Sequence, residues 1–258
     1  MTVDNERIKR EQEFHNQIFN DKSRIVTQKF YSIFFLIEDR YVSKLRKLCP
    51  KKKVLEYGCG EGSTAYQLAA EKAQVTGIDI SDFAIQQAST KAQNIGLAID
   101  FRQMNAEELD FADHEFDLIC GSGILHHLDI HKAYAEIARV LKPDGKALFM
   151  EPLGHNFLIN WYRNRTPHLR TEDEHPLLKK DILLLNNYFI KVRYHFFFMF
   201  SLPAILFRNT FVFKPLLYML HGFDKLLFFI FPFLRWQSWF LLIELSEPKK
   251  EIDIKNPA

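Results

Sequence analysis

A chain of 258 residues with 34 Lys and Arg against 32 Asp and Glu carries a formal charge of only +2. That balance excludes a strongly basic surface spread over the whole protein, so no nucleic-acid partner is expected. The length suits one enlarged domain better than two independent ones.

Three cysteines, Cys49, Cys59 and Cys120, are too few and too scattered for a disulfide framework or a zinc quartet. They are expected as free thiols in a reducing cytoplasm. The polar start from Met1 to Arg10 lacks the apolar core of a secretory signal, so export is not expected.

The first fifty residues read as two helices, a charged one over Asn5–Phe19 and a second over Ser23–Leu48 whose apolar residues recur at helical spacing. Residues 1–50 are therefore assigned to an N-terminal helical segment that Pro50 closes. From Lys52 onward, short apolar runs alternate with amphipathic stretches, the pattern of strand–helix units in a parallel sheet. Strands are expected at Val54–Tyr57, Val75–Ile80, Ile99–Gln103, Phe116–Cys120 and Lys146–Glu151, with helices over Ser63–Lys72 and Ser81–Ile95. Residues 51–151 form the core unit in this reading. Residues 152–248 hold a long polar loop from Pro152 to His175, a helix over Pro176–Leu185, an extended run over Phe189–Phe200, an apolar stretch over Leu202–Leu234 and a last strand over Trp239–Leu245. The tail beyond Pro248 is expected to fray.

Glu56-Tyr-Gly58-Cys-Gly60-Glu-Gly62 lies between a strand and a helix, where glycines permit a tight turn and close approach of a ligand. In the dinucleotide fingerprint the third glycine follows the second by three residues, whereas Gly62 follows Gly60 by two, which disfavours NAD. No Gly-Lys-Ser/Thr follows, which excludes a phosphate-binding Walker loop.

The pattern Glu-x-Gly-x-Gly-x-Gly after a strand resembles the first motif of class I S-adenosylmethionine-dependent methyltransferases. The resemblance is closest to the broad group that includes the ubiquinone and menaquinone biosynthesis methyltransferases, and it covers roughly Lys52 to Glu151. It continues with Asp79 at the end of the second strand, 21 residues after Gly58, with Asn105-Ala106 after the third, with Gly121-Ser-Gly-Ile-Leu-His-His-Leu128 after the fourth and with the turn Lys142-Pro-Asp-Gly145. The resemblance implies an α/β fold: a Rossmann-like, seven-stranded, mostly parallel sheet with helices on both faces, N-terminal helices and a Phe-rich C-terminal insertion. It also implies S-adenosyl-L-methionine as cofactor, held by Glu56, Gly58, Cys59, Gly60, Gly62, Asp79, Ile80, Asn105, Ala106 and Gly121. Many members carry Asp where this chain has Asn105, a departure that touches adenine hydrogen bonding only.

The sulfonium already activates the methyl group, so the protein's task is to align a nucleophile with it and exclude water. A base is needed only for a protonated acceptor, and His126 and His127, at the mouth of the expected site, are the candidates. Their alternative role is to cap or pack beside the cofactor. His127, Asp129 and His131 invite a metal reading, but they lack the His-Glu-x-x-His pattern and a third ligand, and no metal is expected. In the polar loop, His155, His168, Arg170, Glu174 and His175 are candidate substrate residues, or members of a solvated loop.

Phe189–Phe240 holds 14 of the 25 Phe, and Pro176–Leu245 carries eight basic residues against three acidic ones. Charges at Arg208, Lys214, Asp224, Lys225 and Arg235 break every run before a membrane span is reached. The stretch is expected either to dock on an anionic leaflet or to form an apolar lid beside the polar loop. Both readings imply a small, hydrophobic or lipid-like acceptor, and the first implies a cytoplasmic protein at the inner face of a membrane. The rival readings are an RNA or protein methyltransferase and a non-catalytic cofactor-binding protein docked on membranes.

Overall fold

A computed structural model describes residues 3–21, 32–166 and 174–249. They form a seven-stranded sheet of order β3-β2-β1-β4-β5-β7-β6. The strands are β1 (Lys53–Tyr57), β2 (Gln74–Asp79), β3 (Asp100–Gln103), β4 (Phe116–Ser122), β5 (Leu141–Pro152), β6 (Phe189–Phe197) and β7 (Phe240–Pro248). β1 to β5 run parallel, and β7 runs antiparallel to both β5 and β6. The expected α/β architecture is the one observed.

Alternation along the strands builds two cores. Val54, Leu118, Cys120, Leu148 and Leu242 face α2 (Phe35–Leu48) and α3 (Ser63–Ala70), which add Ile37, Tyr41, Leu45, Ala65 and Leu68. Leu55, Ile119, Ala147, Phe149, Leu241 and Ile243 face the other way, against Tyr134, Ile137 and Ala138 of α5 (Ile130–Val140). α4 (Asp82–Asn94) connects β2 to β3, and its first turn is capped by Ser81, whose Oγ accepts the Ala84 N–H at 3.1 Å.

Several elements differ from the sequence reading. The second N-terminal helix is described only from Phe35, and residues 22–31 lie outside the described residues. α5 was not anticipated; Asp129 caps it by accepting the N–H groups of His131 and Lys132. The fifth strand begins at Leu141, because the Lys142–Gly145 turn is a bulge inside β5: Phe116 pairs with Leu141 and Leu118 with Lys146.

The Phe-rich stretch joins β6 to β7. It contains a 3-10 turn (Leu202–Phe207), α8 (Phe213–Ile230) and a second 3-10 turn (Pro232–Gln237). Since Phe197 and Pro152 both pair with Phe240, this insertion leaves the same edge of the sheet as the loop after β5. It wraps the β6 edge, with Leu217 in one core and Trp236 in the other. Phe228 and Trp236 meet Phe196, and Tyr218 meets Phe35. Asp224 anchors it: buried in α8, its carboxylate accepts N–H groups of Met199, Phe200 and Ser201 and the Ser201 hydroxyl, the last at 2.7 Å. Burial still pushes the Asp224 carboxyl up.

Candidate functional site

The carboxyl ends of β1, β2 and β4 meet at the centre of the sheet, the edge at which open α/β folds take ligands. Gly58, Gly60 and Gly62 have φ of 69°, 49° and 79°, the left-handed region that a side chain disfavours. A Cβ at Gly58 would lie 2.7 Å from Ile124 Cγ1, and one at Gly62 would lie 2.7 Å from Phe101 Cζ. Gly62 then caps α3.

Two carboxylates hold the loop. Glu56, buried at the end of β1, accepts the Ala65 N–H at 2.8 Å, and burial pushes its carboxyl up to about 8. Asp79 accepts the Gly60 N–H at 2.8 Å through one oxygen and the Ser81 N–H at 2.9 Å through the other. Cys59 donates its N–H to the Ile78 carbonyl at 2.8 Å, and burial pushes its thiol up.

The next residues continue the same edge. Ile80 accepts from the Gln103 side chain, Asn105 Oδ1 accepts the Glu107 N–H at 3.0 Å, and the Ala106 carbonyl accepts the Tyr57 hydroxyl. Gly121 has a reason internal to the sheet, since a Cβ there would lie 2.8 Å from the Phe149 ring and 2.9 Å from the Tyr57 carbonyl.

A second cluster borders this loop. Glu151, fully buried at the end of β5, accepts the N–H groups of Ile124 and Leu125 and lies 2.9 Å from His126 Nδ1. His126 Nε2 faces Glu174 Oε1 at 4.0 Å, and Glu174 pairs with Arg163 of α6 (Phe157–Arg165) at 3.0 Å. Burial, followed by neighbouring His126, holds the His127 imidazole below its usual range. His127 Nδ1 lies 3.2 Å from Glu11 Oε2 on α1 (Val3–Asp21).

α1 thus covers the site. Arg7 pairs with Glu107 at 2.6 Å and donates to the His127 carbonyl, Asn16 donates to Asp82, and Ser81 donates to Asn16. The sequence reading gave no role to Arg7, Glu11, His15, Asn16, Glu107, Glu151 or Arg163. Only Glu11 and His15 left a trace, an i,i+4 pair on one helix face.

The proposed substrate residues scatter. Glu174 faces His126, and the His175 N–H donates to the His126 carbonyl at 3.3 Å. His155 Nε2 accepts the Lys179 N–H at 2.9 Å and so caps α7 (Lys179–Leu184). His168 and Arg170 lie outside the described residues.

A methyltransferase-domain family profile matches residues 55–149. An uncharacterised methyltransferase of Bacillus subtilis (strain 168), YcgJ, is 35% identical over 127 residues, 46% of this chain and 50% of that protein. The ubiquinone/menaquinone biosynthesis C-methyltransferase UbiE of Pseudoalteromonas translucida (strain TAC 125) is 30% identical over 152 residues, 51% of this chain and 61% of that protein. The chain therefore spans about half the length of the curated relatives it matches. In three dimensions it is similar to geranyl diphosphate C-methyltransferase from Streptomyces coelicolor A3(2), with TM-score 0.59 at 14% identity over 81% of this chain and 79% of that one. The crystal structure of YcgJ gives 0.53 at 22% over 81% and 99%. These two likenesses show the fold. Residues 55–149 thus match a methyltransferase domain, and relatives named as ubiquinone and menaquinone biosynthesis methyltransferases are similar to part of the chain.

Proposed function

We propose that the protein transfers a methyl group from S-adenosyl-L-methionine to a small, hydrophobic or lipid-like acceptor. The observation that carries this reading is the Asp79 carboxylate fixed on the Gly58–Gly62 loop by the Gly60 N–H at 2.8 Å. Each carboxylate oxygen has a second lone pair, so Asp79 fits two ribose hydroxyls without losing its backbone contacts. The three left-handed glycines fit close backbone approach, and buried Glu56 fits a cationic amino group, which would restore its charge. Cys59, Ile80, Asn105 and Ala106 complete the edge, and Gly121 keeps β4 close behind it.

When bound, the cofactor supplies the activated methyl group. The chain's residues align the acceptor and exclude water, and α1 is placed to do the latter. For an acceptor that must lose a proton, His126 is the base: Glu151 fixes its Nδ1 side and leaves Nε2 to take the proton. His127 sits beside it with ring centroids 4.2 Å apart. Relatives named for ubiquinone biosynthesis support a hydrophobic acceptor.

The insertion supports docking at an anionic membrane surface. Phe211 is 94% exposed and Phe229 84%, far more than a lid around an apolar pocket would leave. Between Phe198 and Arg235 the exposed charges Arg208, Lys214, Lys225 and Arg235 are all basic, while Asp224 is buried. No helix among the described residues is long and apolar enough to cross a membrane, so the contact is interfacial. The test of the enzyme reading is turnover of methyl-labelled cofactor against a panel of quinols, phenols and lipids. Label transfer with a 14 Da mass gain supports it, and absence of transfer to every class contradicts it.

A further inference from the structure

Where α1 crosses the loop after β4, Glu11, His15 and His127 bring one donor atom each within 4.8 Å of one another. Glu11 Oε2 lies 3.5 Å from His15 Nε2 and 3.2 Å from His127 Nδ1, and the two imidazoles meet edge to face at 5.0 Å. We infer that these three residues form a binding site for one divalent first-row transition ion, a two-histidine, one-carboxylate face with open positions.

The spacing carries the inference. Donors about 2.1 Å from a common ion, at angles of about 90° to 110°, stand about 3.0 to 3.4 Å apart, close to the two contacts made by Glu11. His127 Nδ1 is sealed from solvent, and the group that faces it is the Glu11 carboxylate at 3.2 Å. Glu11 and His15 sit one turn apart on α1, the arrangement by which a helix gives two ligands to one ion.

The donor set selects the ion. Two imidazoles and one carboxylate, with no thiolate, suit Zn2+, Co2+, Fe2+ or Mn2+ and disfavour Mg2+ and Ca2+. The next shell is present too: His126 and Glu174 form a second His/Glu group with His127, and Arg7 holds the His127 carbonyl at 3.2 Å.

The ion would tie α1 to the loop after β4. Resting on the methyl-transfer reading, its open positions would also take an acceptor hydroxyl oxygen beside the cofactor and favour its deprotonation. His127 then serves as ligand, and His126 remains the base.

The experiment is Co2+ titration of the metal-stripped full chain without cofactor, followed by visible absorption and calorimetry, and repeated with Zn2+ in competition. The expected result is one ion per chain, displaced by Zn2+, with His15→Gln and His127→Gln each weakening binding by about 100-fold or more. His131→Gln, on the exposed face of α5, should leave it unchanged. Circular dichroism checks that each variant is folded, and Zn2+ should raise the melting temperature of the wild type only. An absent Co2+ band, or binding unaffected by both His15→Gln and His127→Gln, overturns the site. Because no cofactor or acceptor is present, failure here leaves the methyl-transfer reading standing, and success does not depend on it.

Discussion

His126 Nδ1 and Glu151 Oε2 lie 2.9 Å apart, with the carboxylate fully buried and its other oxygen bound to the N–H groups of Ile124 and Leu125. The backbone contacts fix the carboxylate, and the carboxylate fixes the ring. Glu151→Gln keeps an acceptor for the backbone but loses the charge that steadies an imidazolium. The expected outcome is a fall in kcat of about 10- to 1000-fold with cofactor Kd unchanged, and His126→Asn should fall at least as far. Steady-state kinetics beside cofactor titration checks this; a matching loss of cofactor binding would reassign the pair to structure.

Glu56 gives a pH dependence with a definite sign. Its folded-state pKa of about 8 lies above the ordinary value of 4.5, so the folded protein holds a proton there that the unfolded chain releases. This stabilisation is complete below 4.5 and is lost as pH rises through about 8. Urea midpoints of the wild type should therefore drop toward alkaline pH relative to Glu56→Gln, whose curve lacks this component. Parallel curves would show that Glu56 is charged throughout. Cofactor binding near neutral pH should also release a proton from the wild type and not from the variant, measurable by calorimetry in buffers of different ionisation enthalpy.

Much of the core was legible because a parallel sheet covered on both faces leaves apolar runs of fixed length, and the glycines between Glu56 and Gly62 are demanded by left-handed backbone. The α5 helix was missed although Asp129 is an ordinary N-cap, because the His-rich run before it drew the reading toward chemistry. The cover was not legible. Arg7 meets Glu107 a hundred positions away, and no local pattern announces such a pair. Glu151 looked like the end of a strand, and only the fold turns it toward His126. Nor does any local pattern announce that His155 accepts the Lys179 N–H at the start of α7.

Asp224 should be the most sensitive residue of the insertion. Removing the carboxylate leaves three N–H groups and one hydroxyl without their acceptor at the exit of β6. Asp224→Ala is expected to cost about 2 to 4 kcal/mol, read from denaturant unfolding, whereas Lys225→Ala on the exposed neighbour should fall within about 0.5 kcal/mol of wild type. Equal effects would contradict the anchoring role.

Membrane docking is read by vesicle co-sedimentation. The wild type should pellet with anionic vesicles at low salt and less so as salt rises, each Lys or Arg near the surface adding about 1 kcal/mol. Phe211→Ser with Phe229→Ser should abolish pelleting, whereas Phe228 packs on Phe196 and is not a free contact for lipid. A wild type that stays in the supernatant at low salt rejects docking.

The most direct measurement of the central claim is calorimetric titration of S-adenosylmethionine into the wild type, Asp79→Ala and Gly60→Val, with circular dichroism to confirm the fold. Asp79→Ala removes the acceptor for the ribose hydroxyls, and Gly60→Val puts a branched side chain on a left-handed residue at φ 49° in the loop itself. The account predicts one cofactor per wild-type chain and a Kd weakened by about 10- to 100-fold or more in each variant. Equal affinity in all three folded proteins, or no binding by the wild type, would contradict it.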